Sequence, residues 1–318
     1  MKERMEQKFN KQNNSLDMKV NAPIPGSLNI ELTSACNHNC IFCMYHSEYS
    51  QYKRQGYTMA YDEVIRLLEM AAKEGFGSHE IGFHMSGESM LHKDFAKCVK
   101  KAKDLGFSYV FTTTNGACVS EKQLKEIVDA GLDSIRFSIN GYDRESYQYY
   151  HGHDDFDKVM RNMEFLKKYK EENKLRISTS TSTVLTRKSI EHRKEFEQLL
   201  SGLVDENVFI PVLSLNRVSE KMNEEHGFGN SSLKMDYTPC PAPFNSLYIT
   251  SEGNVVACCD GSRYASMVID NVNQGKTLTE IWNGEEFKRI RQSFLDGILP
   301  YEDCKGCALV NKNKEMII

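Results

Sequence analysis

LNIELTS (28–34), YDEVIRLLEMAAKEG (61–75) and HEIGFHM (79–85) read as strand, helix and strand. The first alternates its side chains with the period of two that a strand imposes. The second places apolar residues at 64, 65, 67, 68, 71 and 72, one helical face, and ends on Gly75, a residue suited to a left-handed cap. The pattern then repeats through DFAKCVKKAKDLG (94–106), FSYVFTT (107–113), EKQLKEIVDAG (121–131), DSIRFSIN (133–140), FDKVMRNMEFLKKYKEE (156–172), LRISTSTSTV (175–184), SIEHRKEFEQLLSG (189–202) and NVFIPVLSL (207–215). Six strands joined by helical crossovers require a largely parallel sheet. Periodicity fits an open doubly wound sheet or a partial barrel, and either α/β architecture gathers ligands where the strands end.

The character changes beyond Arg217. VSEKMNEEHGFGNSSLKMDYTPCPAP is polar and glycine-bearing, and residues 218–239 read as a linker. A second unit over 240–318 has a hairpin in SLYITSEGNVVACCD turning at Ser251 to Asn254, then a helix in TLTEIWNGEEFKRIRQSFLDG, and CKGC at 304–307. Trp282, Ile281 and Phe287 read as that unit's own apolar patch. Residues 1–27 are polar and read as a flexible segment ahead of a barrel over 28–217.

With 40% hydrophobic and 26% charged residues, the 318-residue chain has ordinary globular composition. A net charge of -4 gives no electrostatic reason to expect nucleic acid or an anionic membrane as partner. KKAK (100–103) and KKYK (167–170) are solvated helix faces. The start lacks an apolar signal region, and no run approaches the roughly 18 apolar residues of a spanning helix, so the cytoplasm is expected.

Ten cysteines in a reducing compartment point to metal or redox chemistry. Cys36, Cys40 and Cys43 follow C-x3-C-x2-C in the loop after the first strand. Three thiolates hold three irons of a 4Fe-4S cube and leave the fourth iron open, whereas zinc would be closed by His38 or His46. Cys240, Cys258, Cys304 and Cys307 offer four soft ligands, which by spacing alone suit zinc or a second cube.

Phe42 precedes the last thiol of the first set, and Ser86, Gly87 and Glu88 close the second strand. CNHNCIFC (36–43) with this SGE segment resembles the radical S-adenosylmethionine (radical SAM) superfamily, whose motif is C-x3-C-x-aromatic-C; the resemblance covers residues 28 to about 215. It implies a partial (β/α)6 barrel and a 4Fe-4S cluster whose unique iron is chelated by S-adenosylmethionine. Reductive cleavage then yields methionine and a 5'-deoxyadenosyl radical that abstracts hydrogen from substrate. The resemblance also implies that Phe42 lies near adenine, and that Ser86, Gly87 and Glu88, counterpart of the family's GGE segment, bond the methionyl amine. Ser86 stands where the family usually has glycine, and Ser89 where it has proline. An acid at Glu88, beside a cationic sulfonium and amine, has an electrostatic use. Thr114 and Asn115 in TTNG, Ser138 and Asn140 at the fourth strand's end, and Thr181 on the fifth are candidates for bonding ribose or methionyl groups. Taken as residues alone, Asn115-Gly116 and Asn140-Gly141 are turn formers, and Ser138 can satisfy a neighbouring backbone group.

The segment from Cys240 to CKGC resembles twitch, the shortened SPASM auxiliary-cluster domain, whose opening C-x(9 to 15)-G-x4-C is met by Cys240, Gly253 and Cys258. It implies one auxiliary 4Fe-4S cluster on Cys240, Cys258, Cys304 and Cys307, hence two clusters in total. Counting from Gly253 selects Cys258 and leaves Cys259, although a slip of one residue exchanges them. Cys259 is then a packed thiol or a hydrogen-atom donor. Cys98 reads as buried filler, and Cys118 starts the loop after Asn115-Gly116. Pocket-lining residues are expected among His46, Tyr49, Tyr52, His84, Arg136, His151, His153 and Arg217.

The double resemblance implies an oxidoreductase or epimerase acting on a small polyol, sugar, nucleotide sugar or aminocyclitol, supplied with electrons by a flavodoxin or ferredoxin. The auxiliary cluster would accept an electron in a dehydrogenation; Cys259 would return hydrogen in an epimerisation. A peptide- or protein-modifying maturase is the alternative, against which residues 1–27 are too few for a winged-helix leader-binding module. A redox sensor without turnover is a third reading, and SGE with TTNG argue against it because both suit a small polar ligand.

Overall fold

The computed structural model describes residues 18–48, 50, 56–211, 224–227, 236–259, 261, 265–305, 307 and 311–312. Tyr49, Tyr52, Arg217, the first 17 residues and most of the 218–239 linker lie outside the described residues.

Six parallel strands lie side by side in chain order: β1 (Ser27–Ile30), β2 (Glu80–Phe83), β3 (Val110–Thr114), β4 (Ser134–Ser138), β5 (Ser178–Leu185) and β6 (Glu206–Pro211). The crossovers carry α1 (Tyr61–Glu74), α2 (Phe95–Asp104), α3 (Glu121–Asp129), α4 (Arg144–His151), α5 (Phe156–Glu172) and α6 (Arg193–Leu200). The apolar period drives this packing. α1 buries Val64, Leu67, Leu68 and Ala71, which join Leu28, Ile30, Ile81 and Phe83 in one core. Each of the larger of these side chains contributes about 1.5–3 kcal/mol on burial. Gly75 ends α1 at φ 80°, the left-handed conformation its sequence position suggests.

The sheet has two unlike faces. Ile135 and Phe137 of β4 look toward the helices, while register aligns Thr113, Arg136, Ser180 and Glu206 across the opposite, inner face. Gly82 belongs to that face, where a Cβ would lie 2.6 Å from both Asn29 Oδ1 and Phe111 Cζ.

The second unit does not stand apart from this sheet. After β7 (Asp236–Tyr237) and the short helix α7 (Ala242–Asn245), the hairpin of β8 (Ser246–Ile249) and β9 (Asn254–Val256) forms where the Ser251 to Asn254 turn predicts. β8 runs parallel to β1, with Leu28 opposite Leu247 and Ile30 opposite Ile249. β10 (Val268–Asn271) completes a nine-stranded sheet. The helices α8 (Leu278–Trp282) and α9 (Glu285–Leu295) follow, and β11 (Asn311–Lys312) pairs with β7. Trp282 is therefore not a patch private to the small unit. It is fully buried in the main core, edge-on to Phe76 at 6.4 Å, and its indole N–H donates to Pro23 O at 2.9 Å.

Candidate active site

The cysteine loop leaves the carboxyl end of β1, and its geometry is set by the thiols themselves. His38 N–H and Tyr45 N–H point at Cys36 Sγ and Cys43 Sγ, each at 3.5 Å, and Cys43 N–H closes a turn on Cys40 O at 2.8 Å. Burial pushes the Cys36 thiol up to about 12 and Cys40 well above the ordinary thiol value, and Cys36 and Cys43 both resist ionisation of Cys40. Three crowded, desolvated sulfurs ionise together only beside a compensating cation, which is what an iron-sulfur cluster provides. Zinc closed by His38 does not fit, because both ring nitrogens are engaged, Nδ1 with His151 at 3.3 Å and Nε2 with Asp155 at 3.1 Å. His46 turns Nε2 to the Ser86 carbonyl at 3.1 Å.

The SGE segment packs directly onto this loop. At Gly87 a Cβ would meet Thr33 O at 2.2 Å and Ala35 O at 2.6 Å, and Glu88 N–H donates to Ala35 O at 2.8 Å. Glu88 is only 3% exposed. Its Oε1 accepts Met90 N–H at 3.1 Å and the Thr114 hydroxyl at 2.8 Å, and its Oε2 accepts Asn115 N–H at 2.7 Å. Burial raises its pKa and these three donors pull it back. These donors take three of a carboxylate's roughly four acceptor directions, leaving one on Oε2. Asn115 carries the network onward, donating from Nδ2 to Asn37 Oδ1 at 2.9 Å with Cys36 Sγ at 4.0 Å. The structure thus joins Cys36, Glu88, Thr114 and Asn115 in one assembly in which Thr114's hydroxyl serves Glu88.

Other sequence candidates sit differently. Thr181 is a correction: it is fully buried, pairs with Phe137 on the helix side of the sheet, and spends its hydroxyl on Asn207 Oδ1 at 2.9 Å. Asn140 is a strut between β4 and β5, accepting Val184 N–H at 2.7 Å and facing His151 Nε2 at 3.2 Å. Ser138 lies half-buried on the inner face, in register with Ser182. Phe42 is half-buried and stacks on Tyr150 at 6.4 Å. On the inner face, burial and then the charge of Arg136 push His84 down to about 4. Cys98 is buried, as expected, and Cys118 is half-buried, its ionisation opposed by burial, Glu88 and Cys36.

Glu31 and helix α4 escape sequence reasoning, although His151 at the end of that helix is among the expected pocket-lining residues. Glu31, fully buried, accepts from the backbone and hydroxyl of both Ser86 and Ser251, and so ties the SGE segment to the hairpin turn. α4 brings Tyr147 and His151 beneath the cysteine loop, with Cys40 Sγ 3.5 Å from His151 Nδ1. A signal for α4 exists: Asp143 and Ser146 form a capping box, and Gly152 ends the helix at φ 72°.

Cys240, Cys258, Cys304 and Cys307 share a small apolar cluster with Phe244, Tyr248, Ile290 and Phe294. Four soft ligands in one apolar cluster suit the iron-sulfur site that the spacing implies. The adjacent Cys259 has its backbone carbonyl on Tyr45, whose N–H points at Cys43 Sγ and whose hydroxyl donates to Cys259 O at 3.4 Å, while its thiol acts on Tyr248 of the cluster. Accordingly, Cys258→Ala is expected to lower bound iron by about four atoms per chain, one 4Fe-4S cube, and Cys259→Ala to leave it unchanged. Iron and acid-labile sulfide assays read the difference, and equal losses would reverse the assignment of the pair.

Comparison with known proteins accords with this arrangement. The radical SAM superfamily profile matches residues 30–200, and that of the SPASM iron-sulfur cluster-binding domain matches residues 240–308. A probable GTP 3',8-cyclase of Saccharolobus solfataricus is 32% identical over 133 residues, 42% of this chain and 41% of that protein. The molybdenum cofactor biosynthesis protein moc-5 of Caenorhabditis elegans is 32% identical over 151 residues, 47% of this chain and 24% of its own length. Both matches span less than half of the relative. SuiB of Streptococcus suis bound to S-adenosylmethionine superposes with a TM-score of 0.65 at 16% identity, over 90% of this chain and 71% of that one. BtrN in complex with AdoMet and 2-DOIA gives 0.54 at 19% identity, over 87% and 89%. At such identities the structures share the fold alone. The motifs, the sheet and the family match meet in one conclusion: the chain belongs to the radical SAM superfamily, an enzyme of S-adenosylmethionine and a 4Fe-4S cluster with a C-terminal SPASM/twitch iron-sulfur domain.

Proposed function

We propose that the enzyme is an oxidoreductase or epimerase acting on a small hydroxylated molecule, a polyol, sugar, nucleotide sugar or aminocyclitol. The observation that carries this reading is the position of Cys259. Its neighbour Cys258 packs with the other three cysteines of the second set, while the Cys259 backbone carbonyl accepts from Tyr45 of the first cysteine loop and the Cys259 thiol acts on Tyr248 of the second cluster, which favours a place for it between the two sets. Bound at Cys36, Cys40 and Cys43, the cluster with S-adenosylmethionine supplies a hydrogen-abstracting radical. Asn115 and Glu88 hold the cofactor's edge of the site, the latter through the open direction on Oε2. Arg136, Ser138 and Ser182, half-buried on the inner face, offer donors and acceptors suited to hydroxyl groups. A thiol hydrogen returned from Cys259 to the opposite face of a substrate carbon radical would invert that carbon and leave a cysteinyl radical, restored by one electron from the reductant and one proton; without the return, loss of the hydroxyl proton and of one electron to the auxiliary cluster would give a ketone. Cys240, Cys258, Cys304 and Cys307 would hold the auxiliary cluster, and a flavodoxin or ferredoxin is the expected reductant.

The test is anaerobic incubation of the reconstituted enzyme with S-adenosylmethionine, dithionite and a panel of aminocyclitols and nucleotide sugars in deuterium oxide. Mass spectrometry follows substrate and 5'-deoxyadenosine. One deuterium gained, and lost in Cys259→Ala while 5'-deoxyadenosine persists, identifies epimerisation. Two hydrogens lost identifies dehydrogenation. An unchanged panel alongside a peptide that is modified overturns the reading in favour of maturase activity.

A further inference from the structure

We propose that His151 is a positioning residue that donates a hydrogen bond to the Cys40 sulfur, and that His38 and Asp155 share and regulate this donor, so that the trio tunes the reduction potential of the cluster held by Cys36, Cys40 and Cys43. The inference rests on the family's cluster and is independent of the substrate reading.

The proton positions follow from geometry. His151 is fully buried at the end of α4, with Tyr147 stacked on its ring at 4.0 Å and 14°. Its Nε2 lies 3.1 Å from Asn140 N, a backbone group that only donates, so Nε2 carries the lone pair and Nδ1 the proton. That Nδ1–H faces two acceptors, Cys40 Sγ at 3.5 Å and His38 Nδ1 at 3.3 Å. His38 is arranged to accept: its Nε2 meets the Asp155 carboxylate at 3.1 Å, which places the His38 proton on Nε2 and leaves Nδ1 bare. The Asn140 side-chain amide also turns its nitrogen to Nε2 at 3.2 Å, a second donor that agrees with a bare Nε2, and each tautomer agrees with the next.

The same atoms invite a second interpretation. One ligand atom each from His38, Cys40 and His151 lie within 4.8 Å of one another, close enough to hold a separate metal ion. The tautomer excludes it, since the His151 nitrogen that would bind is the protonated one, and Cys40 belongs to the three-cysteine set. What remains is an N–H aimed at a cluster ligand from a ring fixed by stacking and by a backbone hydrogen bond. Adding an electron to the cluster increases negative charge on its sulfurs, so such a donor stabilises the reduced state more than the oxidised one and raises the potential. Because His38 competes for the same proton, it moderates that effect. Asp155, 32% exposed, holds His38 in its accepting tautomer.

The experiment is a redox titration of the anaerobically reconstituted full chain, followed by electron paramagnetic resonance of the reduced-cluster signal that S-adenosylmethionine perturbs. His151→Phe keeps the stacking on Tyr147 and removes the donor; its midpoint is expected to move to more negative potential. His151→Asn restores an N–H near the Nδ1 position and is expected to return the midpoint toward that of the parent. His38→Leu frees the His151 N–H for Cys40 alone and is expected to move the midpoint the opposite way, to more positive potential. A parental midpoint in His151→Phe, or a shift of the same sign in His151→Phe and His38→Leu, overturns the proposal, because loosened packing produces no opposite signs. Iron and sulfide content identifies any variant that fails to assemble. If His151→Phe is such a variant, the comparison of His151→Asn and His38→Leu with the parent decides.

Discussion

Gly87→Ala is expected to prevent assembly of the cluster on Cys36, Cys40 and Cys43 while leaving the auxiliary cluster in place, so that iron per chain falls by roughly half. The reason is close approach rather than an unusual backbone angle. The added methyl would fall 2.2 Å from Thr33 O, 2.6 Å from Ala35 O and 2.8 Å from Ser34 C, all main-chain atoms of the strap between β1 and Cys36. Overpacking of a flexible side chain costs about 1–3 kcal/mol; main chain against main chain lies at the upper end, since relief requires the strap to move by roughly an ångström. That movement breaks Glu88 N–H to Ala35 O, and with it the seating of the carboxylate that Thr114 and Asn115 share. Asn115 in turn loses its hold on Asn37 inside the cysteine loop. The sulfurs are then no longer presented together. Full iron content in Gly87→Ala, with the S-adenosylmethionine-sensitive resonance signal unchanged, would show that the strap yields freely.

How much of this was legible beforehand depended on which physical signal each residue leaves. α1 and α5 lie within a residue of their expected limits, because an aliphatic stripe at helical spacing has few alternatives. α4 was missed because its buried face is Tyr147, Tyr150 and His151, aromatic side chains that do not register as an apolar stripe although they obey the same i, i+3, i+4 spacing. Thr181 is a poor candidate to read from sequence because STSTST alternates two hydroxyl residues, so neither face looks wetter than the other; only register against Phe137 decides. The cysteine sets are legible through spacing, whereas the choice of Cys258 over Cys259 rests on a count from Gly253, since both thiols act on Tyr248 and the iron assay has to separate them. The parallel pairing of β8 with β1 left no local trace at all. It is a contact between segments far apart in the chain, selected by matched buried residues such as Leu28 with Leu247.

Glu31→Ala is expected to destabilise the protein by on the order of 3–5 kcal/mol, read as a fall in the urea midpoint at unchanged slope. LNIELTS puts Glu31 in step with Asn29 on the polar side of a strand pattern, where an acid ordinarily finds water. Here it is fully buried and water is replaced by four donors: Ser86 N–H at 3.0 Å and its hydroxyl on Oε1, Ser251 N–H at 3.0 Å and its hydroxyl at 2.9 Å on Oε2. The set fills the carboxylate's acceptor capacity. Truncation leaves two buried backbone N–H groups without an acceptor, each costing about 1–3 kcal/mol, while the two hydroxyls can rotate elsewhere. Glu31→Gln separates the arms. Its single oxygen can serve one serine, but its amide nitrogen meets a backbone N–H on the other and repels it, so about half the loss should remain. Amide exchange distinguishes the cases: Ser86 and Ser251 both lose protection in Glu31→Ala, and only one of them does in Glu31→Gln. A midpoint in Glu31→Ala within about 0.5 kcal/mol of the parent would mean that solvent takes over the carboxylate's place and that the strut is dispensable. The expected outcome has a further consequence for the chemistry. Ser86 belongs to the segment that seats the cysteine loop, and Ser251 to the turn of the hairpin leading to Cys258 and Cys259. One buried carboxylate therefore links the segments that lead to the two cysteine sets, beside the β1–β8 pairing, and its removal should disturb both even though Glu31 belongs to neither.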